Sequence, residues 1–308
     1  MATLAAGVGV VAVLHVAAGT TSGPMLALLG LLPLALLDVL LPLADAGQLA
    51  VRTRAARERL AALACTEPAV TDPAEPVAAG PGRDLAVERV HAGWGEEAVL
   101  RDVGLGLPAG SRVAVVGPSG SGKSTLVAVL LRFLDPQCGS VALDGRRLDR
   151  LALSDVRARI GLVDDDPHVF ASTLRENLRL ARPGADDAEL LAALDRARLT
   201  PWVAQLPEGL DTFLGDGHAD VSGGERARIG VARALLGDRR VLVLDEPTAH
   251  LDSGTAEALA ADVLGTSADG RSVVWVTHGR AGLDRVDRVL RLGDRATEPY
   301  VPALTAEA

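Results

Sequence analysis

The chain has 308 residues, room for about two domains. Its formal charge of −9 excludes the basic stripe that a nucleic-acid-binding surface carries, so no nucleic-acid partner is expected. The two cysteines, Cys65 and Cys138, lie far apart and outside any Cys-x-x-Cys pattern; this excludes a disulfide framework and a zinc site and fits a reducing compartment.

The first elements are apolar. Leu4 to Ala18 and Met25 to Leu43 each approach the roughly 20 residues needed to cross a bilayer, and Gly19 to Pro24 between them reads as a turn. No basic region precedes the first stretch, which argues against a signal peptide. Arg52, Arg54, Arg57 and Arg59 cluster just after the second stretch. By the positive-inside rule that end, and everything following, faces the cytoplasm. The expectation is a transmembrane helical hairpin in a lipid bilayer, with buried helices of a soluble fold as the competing reading. His15 and Asp38 are ionisable groups inside these stretches and therefore functional candidates by default. Asp38 lies toward the cytoplasmic end, where it can equally face other helices. Asp45 to Leu63 is rich in alanine and arginine and reads as a helix running out of the membrane, so residues 1–63 form a partial transmembrane domain. Thr66 to Arg83 contains Pro68, Pro73, Pro76 and Pro81 and reads as a linker, placed at residues 64–83. A soluble domain is expected over residues 84–295 and a disordered tail over 296–308.

Arg112 to Val116 reads as a short buried strand and Leu126 to Leu131 as a helix. Between them lies Gly117-Pro118-Ser119-Gly120-Ser121-Gly122-Lys123-Ser124-Thr125, which matches the phosphate-binding pattern G-x-x-x-x-G-K-[ST]. Glycines let successive backbone N–H groups converge on phosphate oxygens, and the helix N-terminus adds a favourable dipole. Lys123 is the only lysine among 31 Lys and Arg residues. A compact ammonium can reach between two phosphates where a planar guanidinium cannot. A chance glycine-rich turn would lack this strand–loop–helix context, so the segment is read as a nucleoside-triphosphate site. Further on, Cys138 sits between Pro136 and Gly139 and is expected in a turn.

Val221-Ser222-Gly223-Gly224-Glu225-Arg226 opens an alanine-rich helix running to Leu236. The free N–H groups of such an entry make an anion site, weak evidence when taken alone. Val241 to Pro247 is an apolar strand that ends in Asp245 and Glu246. A carboxylate at a strand tip beside a phosphate loop is placed to hold Mg²⁺ with the Ser124 hydroxyl, directly or through water. Glu246 is then positioned to polarise an attacking water. Val273 to His278 is another strand, ending in a potential proton-handling or γ-phosphate-contacting group. A lone histidine at a strand end is usually structural; its company here makes His278 a candidate.

Together these elements resemble the ATP-binding cassette (ABC) ATPases. Gly117–Thr125 looks like their Walker A loop, Val221–Glu225 like the signature motif and Val241–Glu246 like Walker B. Ala249-His250-Leu251-Asp252 resembles the D-loop, His278 the switch histidine and Trp94 the aromatic that stacks on adenine. The resemblance runs from Leu85 to Leu292. It implies an α/β P-loop NTPase fold, a RecA-like core with a helical subdomain near Asp166–Leu236, here preceded by the transmembrane hairpin. It also implies ATP and Mg²⁺ as cofactors and Glu246 and His278 as catalytic residues. In this family two cassettes clamp two ATP molecules head to tail, each between the Walker A of one and the signature of the other. A chain with one copy of every motif therefore needs a second half-transporter. The flanks carry a narrower resemblance. Leu32–Pro42, Asp166–Phe170, Asp245–Asp252 and Thr277–Leu283 are similar to the CydC half of the cytochrome bd assembly transporter. That implies a CydD-like partner, a bacterial cytoplasmic (inner) membrane location, and a cargo of cysteine, glutathione or haem.

Three departures stand against the family pattern. Exporter halves carry about six membrane helices, whereas this chain has room for about two, as in a truncated or split gene product or one with a misplaced start. Asp165, flanked by Asp164 and Asp166, stands where the family has a glutamine that touches Mg²⁺ and the attacking water. An aspartate can still bind Mg²⁺ but adds negative charge beside the γ-phosphate. Val221 replaces leucine and Glu225 replaces glutamine, both mild changes. A soluble ABC ATPase acting on nucleic acid or ribosomes would lack the apolar segments and show coiled coils or a second cassette. A truncated or non-catalytic ATP-binding subunit is argued against by Glu246 and His278, since a site that only binds ATP needs no water-polarising acid.

Overall fold

The computed structural model describes residues 10–11, 13–16, 19, 22–215 and 219–293. Most of the first apolar stretch and the whole 296–308 tail lie outside them. The chain divides into two compact units, Met1–Pro68 and Ala69–Ala308.

In the first unit, helix α1 (Gly23–Ala64) is a single helix of 42 residues. Pro24 occupies its first turn, where a missing N–H breaks no intrahelical bond. Farther along, Arg54 pairs with Glu58 one turn on at 3.0 Å, and Leu49, Val51, Leu60 and Leu63 are exposed. The side chains of residues 33–44, Asp38 among them, lie outside the description. Among the described residues no helix is long and apolar enough to cross a membrane, so the expected transmembrane hairpin is not displayed.

The second unit follows in chain order. Strands β1 (Leu85–Ala92), β2 (Leu100–Leu107) and β3 (Arg112–Val116) lead into α2 (Lys123–Leu130). Next come β4 (Cys138–Leu143), β5 (Arg146–Arg147), α3 (Leu153–Arg159) and β6 (Ile160–Val163). A helical segment holds α4 (Leu174–Arg179), α5 (Asp187–Arg196), α6 (Thr200–Val203) and α7 (Gly223–Leu236). Then follow β7 (Val241–Asp245), α8 (Ser253–Gly265), β8 (Ser272–Val276) and β9 (Arg288–Arg291). The strands form an antiparallel sheet in the order β2-β1-β4-β5 and a parallel sheet in the order β6-β7-β8-β3-β9.

The parallel sheet reads as unbroken apolar runs because both its faces are covered. Successive side chains alternate between faces. Val113, Val115, Val241, Val243, Val274 and Val276 share one core with α2 and the antiparallel sheet. Leu242, Leu244, Val273 and Trp275 share the other with α4, α5, α7 and α8. The helical segment is thus built on one face and the phosphate-loop helix on the opposite face.

Two local expectations change. Cys138 is the exposed first residue of β4 and not part of a turn. The tight turn falls later, at Asp144-Gly145, with φ of 50° and 72°, the positive values that a two-residue hairpin needs. The proline-rich segment is also less free than a linker. The division between units falls at Pro68, inside the expected 64–83 linker, and Thr71 and Asp72 are hydrogen-bonded within the second unit.

Candidate active site

The register of the parallel sheet assembles the site. Val276 of β8 lies opposite Val115 of β3 on one side and Asp245 of β7 on the other. The Gly117–Thr125 loop, Glu246 and Thr277-His278 therefore leave the sheet at one level, at the carboxyl ends of the strands, where open α/β sheets bind ligands. Backbone bonds fix the level: Glu246 N–H donates to Val276 O at 2.9 Å and Thr277 N–H to Val115 O at 3.0 Å.

In the loop, Gly122 has φ of 97° and immediately precedes α2; a Cβ there would lie 2.6 Å from Leu100 Cδ2. A Cβ on Gly117 would lie 2.6 Å from both Leu292 O and Ser121 Oγ. Packing against a backbone carbonyl demands glycine at 117, and the left-handed backbone favours it at 122. Pro118, Ser119, Gly120 and Ser124 are exposed, whereas Thr125 is buried. Lys123 Nζ donates to the carbonyls of Gly117 at 2.9 Å and Pro118 at 3.2 Å, so the ammonium is held across the loop by the loop's own backbone.

Acidic groups meet this loop at the end of β7. Burial, followed by the neighbouring carboxylates of Asp165, Glu246 and Asp164, pushes the Asp245 carboxyl up to about 6, against the opposing pull of Lys123. The Asp164 carboxyl is also raised, by burial and by the charges of Asp165 and Asp166. Asp165 is itself exposed, and its N–H donates to Asp164 Oδ1 at 3.1 Å. Asp166 turns elsewhere, to Arg226 Nε at 3.4 Å. Among the described residues no three His, Cys, Asp or Glu side chains are grouped to hold a metal ion by themselves. A buried carboxylate ringed by others is nonetheless one that a divalent cation relieves, and Asp245 fits Mg²⁺ on that ground.

Glu246 has φ of 49°, left-handed for a residue with a side chain, at a cost of roughly 1 kcal/mol or more. The conformation delivers its carboxylate to His278: Glu246 Oε2 and His278 Nδ1 are 2.6 Å apart. At that distance Nδ1–H donates to the carboxylate. The sequence named both residues but gave no sign of their contact, which depends on the pairing of β7 with β8.

The signature segment is ordered by its own chemistry. Ser222 caps α7, its hydroxyl accepting the Glu225 N–H at 3.3 Å while the Glu225 carboxylate accepts the Ser222 N–H at 2.8 Å. This reciprocal capping box gives Glu225 a task, and Ser-x-x-Glu before an apolar helix was the signal that could have found it. Val221 O accepts from Arg226 at 3.4 Å. A Cβ on Gly224 would lie 3.1 Å from His250 O, and Gly223 faces the His250 ring, so the signature and the Ala249–Asp252 loop pack together. Asp252 caps α8, accepting the Thr255 N–H at 3.0 Å. Hydrogen bonding from the Thr255 side chain, and then from its N–H, holds the carboxyl below the usual carboxylate range. Trp94, in the loop between β1 and β2, is 64% exposed.

The fold and this arrangement define a P-loop ATPase of the ABC cassette type. Residues 100–249 match the family described as ABC transporter. The chain is 35% identical over 235 residues to the uncharacterized ABC transporter ATP-binding protein YwjA of Bacillus subtilis, covering 76% of this chain and 41% of that protein. It is 34% identical over 211 residues to the mitochondrial iron-sulfur clusters transporter ATM1 of Saccharomyces cerevisiae, covering 68% and 31%. A solved bacterial Atm1-family ABC exporter with ATP bound superimposes with a TM-score of 0.70 at 29% identity, covering 94% of this chain and 51% of that one. Residues 100–249 thus match the ATP-binding cassette of ABC transporters, and the chain carries an ATPase domain similar to those of exporters. It spans about half the length of the solved exporter chain and less than half of these relatives.

Proposed function

We propose that the chain is the ATP-hydrolysing part of an ABC exporter and acts together with a second cassette at a membrane. The observation that carries this reading is the Glu246–His278 contact at 2.6 Å, set at the strand ends beside the phosphate loop. In this reading the exposed backbone of Pro118–Gly120 and the first turn of α2 receive the phosphates. Lys123 leaves the carbonyls of Gly117 and Pro118 for them, and the exposed Trp94 ring takes the adenine. Asp245 and Ser124 hold Mg²⁺, with Asp165 beside them; when bound, the ion neutralises phosphate charge. Glu246 orients the attacking water, and His278, fixed through Nδ1, keeps that carboxylate in place and turns Nε2 toward the γ-phosphate. Gly223 and Gly224 present the free N–H groups of α7, beside the Ser222 hydroxyl, to the nucleotide of the partner cassette, with the Asp252 loop alongside.

The apolar stretches 4–18 and 25–43 serve in this reading as membrane crossings, with α1 continuing out of the bilayer. The narrower form is a CydC-like half with a CydD-like partner in the bacterial cytoplasmic membrane, moving cysteine, glutathione or haem. It is supported by sequence similarity at 32–42, 166–170, 245–252 and 277–283. Stimulation of turnover by reduced glutathione or cysteine in a bilayer would support that form; turnover indifferent to both would remove it. The broader proposal predicts an ATPase rate per chain that rises with chain concentration or on addition of a partner cassette. A rate per chain that is constant on dilution to the monomer would overturn it.

A further inference from the structure

Thr71 to Asp84 contains Pro73, Pro76 and Pro81 and has the composition of a free linker. Its bonds contradict that composition. Asp72 Oδ1 accepts the N–H of Leu153 at 2.6 Å. Leu153 is the first residue of α3, and its own N-cap, Ala152, offers no side-chain bond. A helix start is thus capped from 81 residues away, supplying one of the acceptors that a helix entry lacks. Val77 N–H donates to Arg150 O at 2.9 Å, and Arg146 donates to Ala78 O. Ala79 packs against the core shared by α2 and the antiparallel sheet. Finally Asp144, in the β4–β5 turn, accepts the N–H groups of Gly82, Arg83 and Asp84 at 2.6, 2.9 and 3.0 Å.

Two contacts lead toward the nucleotide site. Arg132, whose side chain is 3% exposed, follows α2 and donates to Thr71 O at 2.9 Å and Leu151 O at 2.7 Å while pairing with Asp135 at 3.1 Å. Lys123 begins α2, so the far end of the phosphate-loop helix is gripped by the first residue of this segment. Arg159 ends α3 and donates to Gly80 O at 2.7 Å. A Cβ on Gly82 would lie 2.7 Å from the Arg159 stem, so the two are in close contact. The residue after Arg159 starts β6, the strand that runs to the Asp164–Asp166 loop.

We infer that residues 71–84 form a conformational strap that couples the chain preceding the cassette to nucleotide occupancy, through the end of α2 and the start of β6. Nucleotide binding fixes the phosphate loop and α2 and thereby tightens the strap. Linkage is reciprocal, so tension applied to the strap by the helix before it changes nucleotide affinity by the same factor. The route follows the covalent chain and is separate from any docking of other segments on the cassette.

Hydrogen exchange on the full chain, with and without Mg²⁺ and a non-hydrolysable ATP analogue, tests the inference at the amides of Val77, Gly82, Arg83 and Asp84. Without nucleotide these amides should exchange at least about tenfold more slowly than those of residues 66–70, and the analogue should slow them by a further factor of roughly three. Asp72→Ala and Asp144→Ala should each speed strap exchange about fivefold, the scale for losing one cap, and weaken analogue binding in proportion. Asp72→Ala removes a single exposed bond, so a folding failure of the Asp144 variant would not blunt the test. Strap amides that ignore the analogue while phosphate-loop amides respond to it would overturn the coupling and leave nucleotide binding intact. Exchange at the rate of residues 66–70 would show that no strap exists.

Discussion

Lys123 is held by two carbonyls, those of Gly117 and Pro118, and a triphosphate must displace both. Lys123→Arg keeps the charge but puts a broad fork where a point donor passes between phosphates. ATP binding measured by calorimetry should weaken by about tenfold or more, and unchanged binding would contradict the geometry assigned to the ammonium. Asp245 offers a test through pH. Its carboxyl is raised from 3.8 to about 6, with burial as the first cause and the surrounding acids next. Since the folded value lies above the unfolded one, protonated Asp245 favours the fold below about pH 4, and that contribution is lost as pH rises through about 6. Asp245→Asn should therefore raise the melting temperature of the nucleotide- and metal-free protein more at pH 7 than at pH 4. Equal gains at the two values would show that Asp245 ionises freely. Asp165 adds to the same charge cluster, so wild-type ATPase should depend more steeply on Mg²⁺ than an Asp165→Gln variant. Superimposable Mg²⁺ titrations would remove Asp165 from the site.

At the scale of elements, α7 begins in a closed exchange of bonds between Ser222 and Glu225. Glu225→Ala opens half of it, at a cost of about 1 kcal/mol, and should lower the melting temperature by roughly 2–4 °C. A thermal scan showing no change would mean that water replaces the carboxylate without loss. The same helix shows what sequence can and cannot convey. The strands β3, β7 and β8 were readable as apolar runs, and the phosphate loop as glycines in a fixed frame, because both are local patterns. The contact of Glu246 with His278 was not readable, since it depends on which strands pair and in what register. The bonds of residues 71–84 were not readable for a related reason: the composition is that of a linker, and the groups that hold the segment are Arg132, Asp144, Leu153 and Arg159, some 60 to 80 residues away. Cys138 was placed in a turn from its flanking proline and glycine, whereas pairing of β4 with β1 extends the strand to include it.

At the scale of the molecule, the chain is two units with different surfaces. The first exposes leucine and valine along α1. The second buries its apolar residues in two cores, one on each face of the parallel sheet. All the groups assigned to ATP chemistry belong to the second unit, and the account rests on Glu246 as the carboxylate that orients water. The decisive measurement is ATP binding and hydrolysis by Glu246→Gln, assayed with the partner cassette present or at a concentration that drives pairing. Binding should persist while hydrolysis falls by at least about a hundredfold, the scale of a positioned base. Hydrolysis close to the wild-type rate in that protein would contradict the assignment.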